Sequence, residues 1–502
     1  MQLSFLILAL VSTAVLANSD AAATEQLLAG VAKIEITSPD AEKVNDPCFA
    51  KALVLRQGKR VAVLVTVDAV AIGGIGSIPD TFMESVRLEL ERNPGIPPSH
   101  VIVNASHCHG VVRSDSDQLV VRAVREAYRK LVPVKVGAGV GSETRISENR
   151  RVTLHDGRQV DMRRAYAFAW DKDIASIGPI DPQIGLMRID REDGRPLAVL
   201  YQFACHPIMN PPDKGSSADF PGVASALIES ALGDGVIAFF VQGCGGDINP
   251  VQYKDVLHPP DAEPLGNLLG ARVIERWRSI TPVADGQLAV QQRVITLPRA
   301  ADFEKRINAL EEERSRLVHA LKGTNIQFET FLPLLIQQRL DPNSPSGSTH
   351  SYLHESSQGR DDFARLDAEN RAQVDSYLAN IKIMEELTRI NTNITLLRRH
   401  ELETKRAGDA PLEAEMCALR IGDFKLVTFP GELTVEIGLN VKNDTGDPHA
   451  FVAGYTNGYL FYTPTVDQRV NPGFAQEDCD CLVAPEWQAL FEAAALEMLR
   501  NL

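Results

Sequence analysis

Two apolar runs that each close on histidine constrain this chain more than any other feature. In VIVNASHCHG (101–110), Val101, Ile102 and Val103 read as a buried strand. Residues two apart on extended chain face the same side, so His107 and His109 project together from its end. LAVLYQFACHP (197–207) repeats the pattern: an apolar strand ends in His206 and is broken by Pro207. A sheet holds the backbone while the turn leaves a coordination position open, which suits metal ligation. One such pair reads equally well as half-buried histidines. The recurrence at His206 weighs towards ligands, which would meet only through the fold.

A third apolar strand, in GVIAFFVQGCGGDINP (235–250), runs into a glycine loop. Gly243, Gly245 and Gly246 permit a sharp turn that exposes backbone N–H groups, as an oxyanion or anion site requires. A tight turn without a ligand fits the same residues. The spacing matches neither the phosphate-binding nor the dinucleotide fingerprint, so no nucleotide site is read there. Asp68 closes another apolar strand, and Asp219 and Pro221 open an amphipathic helix, where a cap is the simpler role for the carboxylate. Glu432 follows Pro430 and Gly431 at a strand end, and Tyr459 and Tyr462 sit in a short polar-aromatic segment. Taken singly, these read as a helix-dipole partner and packing tyrosines.

Strands around Gln57 and Gly58, a helix over 80–92, the histidine strand and a helix over 115–131 alternate in the order of an α/β unit. Residues 133–170 read as strands and turns carrying Asn149, Arg150 and Arg151. The fold class expected is α/β: a mixed, largely buried β-sheet core with flanking helices and an inserted long helical hairpin. The hairpin is read over 300–410. Phe303, Ile307, Leu310, Leu317 and Leu321, then Val374, Leu378, Ile381, Met384, Leu387, Ile390, Ile394 and Leu397, recur at helical spacing. A turn-rich polar linker joins the two helices, and His350 and His354 within it read as solvated. Such an insertion would roof a cleft or mediate assembly. Strands return over 411–502, so the catalytic body is expected as 28–299 plus 411–502.

The opening MQLSFLILALVSTAVLANSD has the apolar run and small-residue site of a signal peptide over 1–17, implying an exported protein, periplasmic or extracellular. No later stretch reaches membrane-span length. A net charge of −15 argues against a nucleic-acid partner, which would call for a basic surface. Seven cysteines in 502 residues are too few for a disulfide scaffold, so the core must carry the fold. Cys479 and Cys481 lack the further ligands of a zinc knuckle.

SHCHG, FACHP, QGCGGD, FPGE and YTNGYLFYTPT, in this order, resemble the neutral (alkaline, non-lysosomal) ceramidase family, zinc amidases that hydrolyse the amide bond of N-acylsphingosine. The resemblance covers 28–300 and 411–475, and its specificity lies in the ordered set. It implies zinc held by His107, His206, Glu432 and Tyr462, with Tyr459 as the alternate for Tyr462. It implies further that His109 handles protons beside the metal and that Arg150 lines the substrate pocket. Gly243 and Asp247 of the glycine loop complete the catalytic candidates. Two departures alter the substrate shell: Gly243 stands where the family has a serine after the glutamine, and Phe474 where it has a second tyrosine. No counterpart of the family's C-terminal β-sandwich is expected before Leu502. The expected partner is an N-acyl lipid or another small amide substrate, with room for peripheral membrane contact and no transmembrane segment. Alternatives are a same-fold metal hydrolase of another amide or ester and a zinc-binding homologue without catalysis.

Overall fold

The structure, a computed structural model, describes residues 25–162, 171–209, 215–233, 235–251, 253, 260–344 and 346–502. The expected signal peptide and the end of the 133–170 stretch lie outside the described residues. The body is mixed α/β, built on an eight-stranded sheet. From one end its strands run Ile237–Gln242, Pro196–Phe203, Gln183–Arg191, Val132–Ser142, Leu27–Glu35, Phe49–Gln57, Arg60–Val67 and Val101–Ala105. The two end pairs are parallel and the intervening ladders antiparallel.

The sheet curls until its two end strands meet. The Gln242 N–H donates to Asn104 Oδ1 at 3.0 Å, although these strands stand at opposite ends of the strand order. Twist accumulated over eight strands supplies the curl. Strand ends that would be far apart in a flat sheet therefore open onto one place.

A second sheet, ordered Leu288–Leu297, Leu412–Ile421, Phe424–Thr428, Ala450–Ala453, packs on the first. Leu55, Leu64, Leu200 and Phe239 interdigitate with Leu288, Leu419, Phe424 and Phe451 between them. Helices Phe82–Arg92 and Ser116–Arg129 cover the outer face of the first sheet near the histidine strand, and Asp219–Leu232 and Ala262–Arg278 cover it near Pro196–Phe203. Val435–Thr445 and Trp487–Arg500 cover the second sheet. Two sheets between helical layers explain why the strands read as near-continuous apolar runs: both of their faces are buried.

The helical segment leaves the second sheet at Leu297 and returns at Leu412, which is the ladder partner of Leu297. Phe303–Ala320 and Asp362–Ala407 pack through Ile307, Leu310 and Leu317 against Leu387, Ile390, Ile394 and Leu397, as the spacing predicts. Two further helices, Phe328–Leu340 and His350–Ser357, differ from the expected two-helix arrangement. The first contains Pro333 and buries only Phe331, which stacks on Tyr377 with ring centroids 4.3 Å apart. With one buried position it leaves no apolar period in the sequence. The second lies inside the expected linker, where buried Glu355 accepts the Phe363 N–H at 2.8 Å.

Candidate metal centre

The histidine strand hands over to His107 through an abrupt change of backbone direction. His107 lies in the left-handed region, at φ 67°, and its N–H donates to Ala69 O at 2.9 Å. Such a conformation costs a non-glycine residue about 1–3 kcal/mol and persists only where its surroundings impose it. Here the imposition comes through the ring, whose Nδ1 lies 2.6 Å from Val70 O. His206, following Pro196–Phe203, is oriented likewise, with Nδ1 3.0 Å from Ile248 O. A carbonyl only accepts, so each Nδ1 carries the proton in a neutral ring and each Nε2 bears the lone pair.

Both Nε2 atoms face one carboxylate oxygen. Glu432 Oε2 lies 3.2 Å from His206 Nε2 and 3.4 Å from His107 Nε2, and the imidazole rings meet edge-on at 4.8 Å. All three residues are buried, and their ligand atoms fall within 4.8 Å of one another. Burial, reinforced by the Arg150 charge, pushes the His206 pKa down to about 3, so this ring is neutral near pH 7. Lone pairs facing one another in a dry pocket are repulsive unless a cation sits among them. The spacing fits that reading: ligands bonded at about 2.0–2.1 Å in a tetrahedral shell stand about 3.3 Å apart. The donor set therefore suits a borderline divalent metal.

Three tyrosines surround this group. The parallel ladder Glu432–Leu433/Tyr462–Thr463 sets Tyr462 directly opposite Glu432. Tyr459 donates through its hydroxyl to Glu432 Oε1, and Tyr455 to Oε2 at 3.3 Å. The Tyr455 ring also lies 4.3 Å from that of His107. Tyr455, Asn457 and Phe461 all adopt left-handed backbone, which folds the short segment tightly enough to bring several hydroxyls to one carboxylate. Sequence reasoning missed Tyr455. Its signal was the repeated Gly-Tyr of GYTNGY, two sharp-turn positions each followed by a polar aromatic.

Arg150 is fully buried and engages protein on every side. It donates to Glu477 Oε1 at 2.7 Å, Gly246 O at 2.6 Å, Asn249 Oδ1 at 3.1 Å and the Tyr462 hydroxyl at 3.1 Å. Arg150, expected to line the substrate pocket, thus holds the Tyr462 hydroxyl, and its partner Glu477 had no signal in the sequence. Arg151 adds a bridge to Asp478 at 2.6 Å. The long inserted helix reaches the same segment: Arg389 donates to Gly473 O at 2.6 Å, and His400 meets Asp480 at 2.6 Å.

Asp247 lies outside the histidine–glutamate group. Its carboxylate accepts the Val435 N–H at 2.8 Å and the Asn149 and Gln468 amides at 3.2 and 3.4 Å, anchoring the start of helix Val435–Thr445 just beyond Glu432. Gly243 is buried, and a Cβ there would stand 2.1 Å from Gln202 Nε2. The loop is built around the missing side chain. His109 is exposed, and its carbonyl accepts the Ser217 N–H at 3.4 Å. Phe474 packs beside the inserted helix, its carbonyl receiving the Asn393 amide. All seven cysteines are buried thiols.

No protein-family model matches the chain, and no curated protein does. Solved structures do. The crystal structure of neutral ceramidase from Pseudomonas aeruginosa aligns with a TM-score of 0.59 at 17% identity, covering 95% of this chain and 74% of that one. A ceramidase complexed with C2 aligns equally well, at 17% identity and 0.59, over 95% of this chain and 75% of its own. At that identity the likeness is one of fold. No helix among the described residues is long and apolar enough to cross a membrane.

Proposed function

We propose that this chain is an exported zinc-dependent hydrolase of linear amide bonds, acting on an N-acyl lipid of the N-acylsphingosine class. The observation that carries the reading is the convergence of His107 Nε2, His206 Nε2 and Glu432 Oε2 in a buried pocket, on a fold like that of neutral ceramidase. These three atoms would hold the metal. Tyr462 is the fourth ligand in this reading, because the other two tyrosines spend their hydroxyl protons on Glu432 while the Tyr462 oxygen accepts from Arg150. When bound, zinc supplies Lewis acidity, acidifying a water molecule from a pKa of about 15.7 to near 7 and polarising the scissile carbonyl.

The remaining work falls to side chains. Val70 O and Ile248 O fix the imidazole tautomers, and Tyr455 and Tyr459 orient the carboxylate. His109, exposed two residues beyond His107, would deliver a proton to the leaving amine from the solvent side. Metal analysis and a substrate panel test the reading together. Purified protein should carry about one zinc per chain and cleave N-acylsphingosine, and His107→Ala should lose both; full activity in that variant would sink the assignment.

A second reading, the same chemistry on another amide or an ester, is favoured by Gly243. Gln202 fills the space beside it, so a serine there would displace a buried neighbour. Short amides and esters in the same panel separate the two, since preference for them over N-acylsphingosine selects the second.

A further inference from the structure

Asn249 carries a hydrogen-bonding capacity that the described residues leave unused. The residue is fully buried in the short strand Ile248–Pro250. Its Oδ1 accepts from Arg150 Nη1 at 3.1 Å. A guanidinium only donates, so the orientation of the carboxamide is decided by chemistry: the oxygen must face Arg150 and Nδ2 must face away. Nδ2 is itself buried and has no hydrogen-bond partner among the described residues. Buried amide donors are nearly always satisfied, and an orphan one is costly to keep.

The position of this orphan gives it meaning. The preceding carbonyl, Ile248 O, is the one that orients His206. The guanidinium that holds Asn249 Oδ1 also holds the Tyr462 hydroxyl, and Tyr462 is the ladder partner of Glu432. Asn249 is therefore tied on one side to the histidine and on the other to the tyrosine and glutamate of the centre. Two N–H bonds of a locked carboxamide, in a residue joined to the Tyr462 hydroxyl through Arg150, match an uncharged oxygen acceptor.

We infer that Asn249 is a substrate-binding residue whose Nδ2 donates to an acceptor oxygen, carbonyl or hydroxyl, on the polar head of the amide substrate. The inference rests on the hydrolase reading above. It explains why a donor stays unpaired inside the protein: the ligand completes it. It also assigns a preference, for substrates that present an oxygen beside the scissile bond over those that present only hydrocarbon.

Two variants test it in the zinc-loaded full chain. Asn249→Asp keeps an acceptor for Arg150 and removes both N–H donors; Asn249→Ser keeps a small acceptor and restores one donor. Metal content and thermal melting are measured beside kcat and KM on N-acylsphingosine and short N-acyl amides. With metal content and melting close to wild type, N249D should lose roughly 10- to 100-fold in kcat/KM, and N249S should recover part of that loss. An N249D protein as active as wild type overturns the inference, as does equal impairment of the two variants or a loss that tracks loss of metal or fold. Wild-type protein that binds zinc but leaves every amide intact overturns the hydrolase reading instead, and this inference with it.

Discussion

His206 Nε2 stands 3.2 Å from Glu432 Oε2 across 226 residues of sequence, and Ile248 O, on the far side of the same ring, leaves that nitrogen no proton to give in the neutral form. A lone pair set against a carboxylate in a dry pocket is an arrangement that a cation resolves. Removing either side should remove the cation. His206→Ala should lower bound metal from about one per chain to background by elemental analysis and abolish amide hydrolysis, while folded secondary structure persists by circular dichroism. Retained metal would show that the ion, if bound, lies elsewhere.

Stripping the metal should destabilise the protein without unfolding it, because the core between the two sheets does not depend on the site. Free zinc at about a thousand times its dissociation constant contributes about 4 kcal/mol of stability by mass action. Dialysis against a chelator should therefore lower the melting temperature by several degrees in calorimetry, and zinc should restore it. Calcium or magnesium should not, since imidazole ligands suit neither.

The three tyrosines should separate by role. Tyr455→Phe and Tyr459→Phe each remove a hydroxyl that donates to Glu432, and each should weaken zinc binding about 10- to 100-fold, as loss of a ligand's hydrogen-bonding partner does elsewhere. Tyr462→Phe should weaken it more, because it removes an oxygen proposed to touch the metal. Competition with a fluorescent chelator measures all three; equal, small effects would argue for a three-ligand site.

Asp247 should prove a framework residue. Asp247→Ala leaves the Val435 N–H and the Asn149 and Gln468 amides without their shared acceptor, and should cost about 3 kcal/mol in denaturant unfolding. Zinc stoichiometry in the surviving folded fraction should stay near that of wild type. Full stability together with lost turnover would instead make this carboxylate catalytic.

Glu143 sets an acid limb of its own. Hydrogen bonds from Arg145, and less so from Arg272, hold its pKa down to about 2 from an ordinary 4.5. A carboxylate whose pKa is lower folded than unfolded contributes stability that is complete above the unfolded value and fades as pH falls towards the folded one. In metal-free protein, wild type should melt above Glu143→Gln at neutral pH, and the gap should close between pH 4.5 and about 2. A gap unchanged over that window would remove the Arg145 contact from the stability of the fold.

Much of the centre could be read locally. His107 and His206 stood out because each closes an apolar strand; Glu432, taken singly a helix-dipole partner, entered only through the resemblance carried by FPGE. Tyr455 did not, since the repeated Gly-Tyr of GYTNGY marks a turn but not the left-handed backbone that aims its hydroxyl at Glu432. Arg150 was noticed, but its partner Glu477 lies 327 residues away in a segment with no distinguishing pattern. The helix Phe328–Leu340 was hidden for the opposite reason: its one buried residue leaves no period to detect.

The sequence by itself determined the elements and their chemical endings: apolar strands buried on both faces, long helices with an apolar stripe, and imidazole, carboxylate and phenol groups at the turns. These follow from spacing and side-chain chemistry within a few residues. Only the tertiary structure decided that the endings share a point. That outcome depends on the curl that brings Asn104 against Gln242 and on the ladder that pairs Glu432 with Tyr462. Twist and register add up over the whole sheet, so no short stretch of chain contains them.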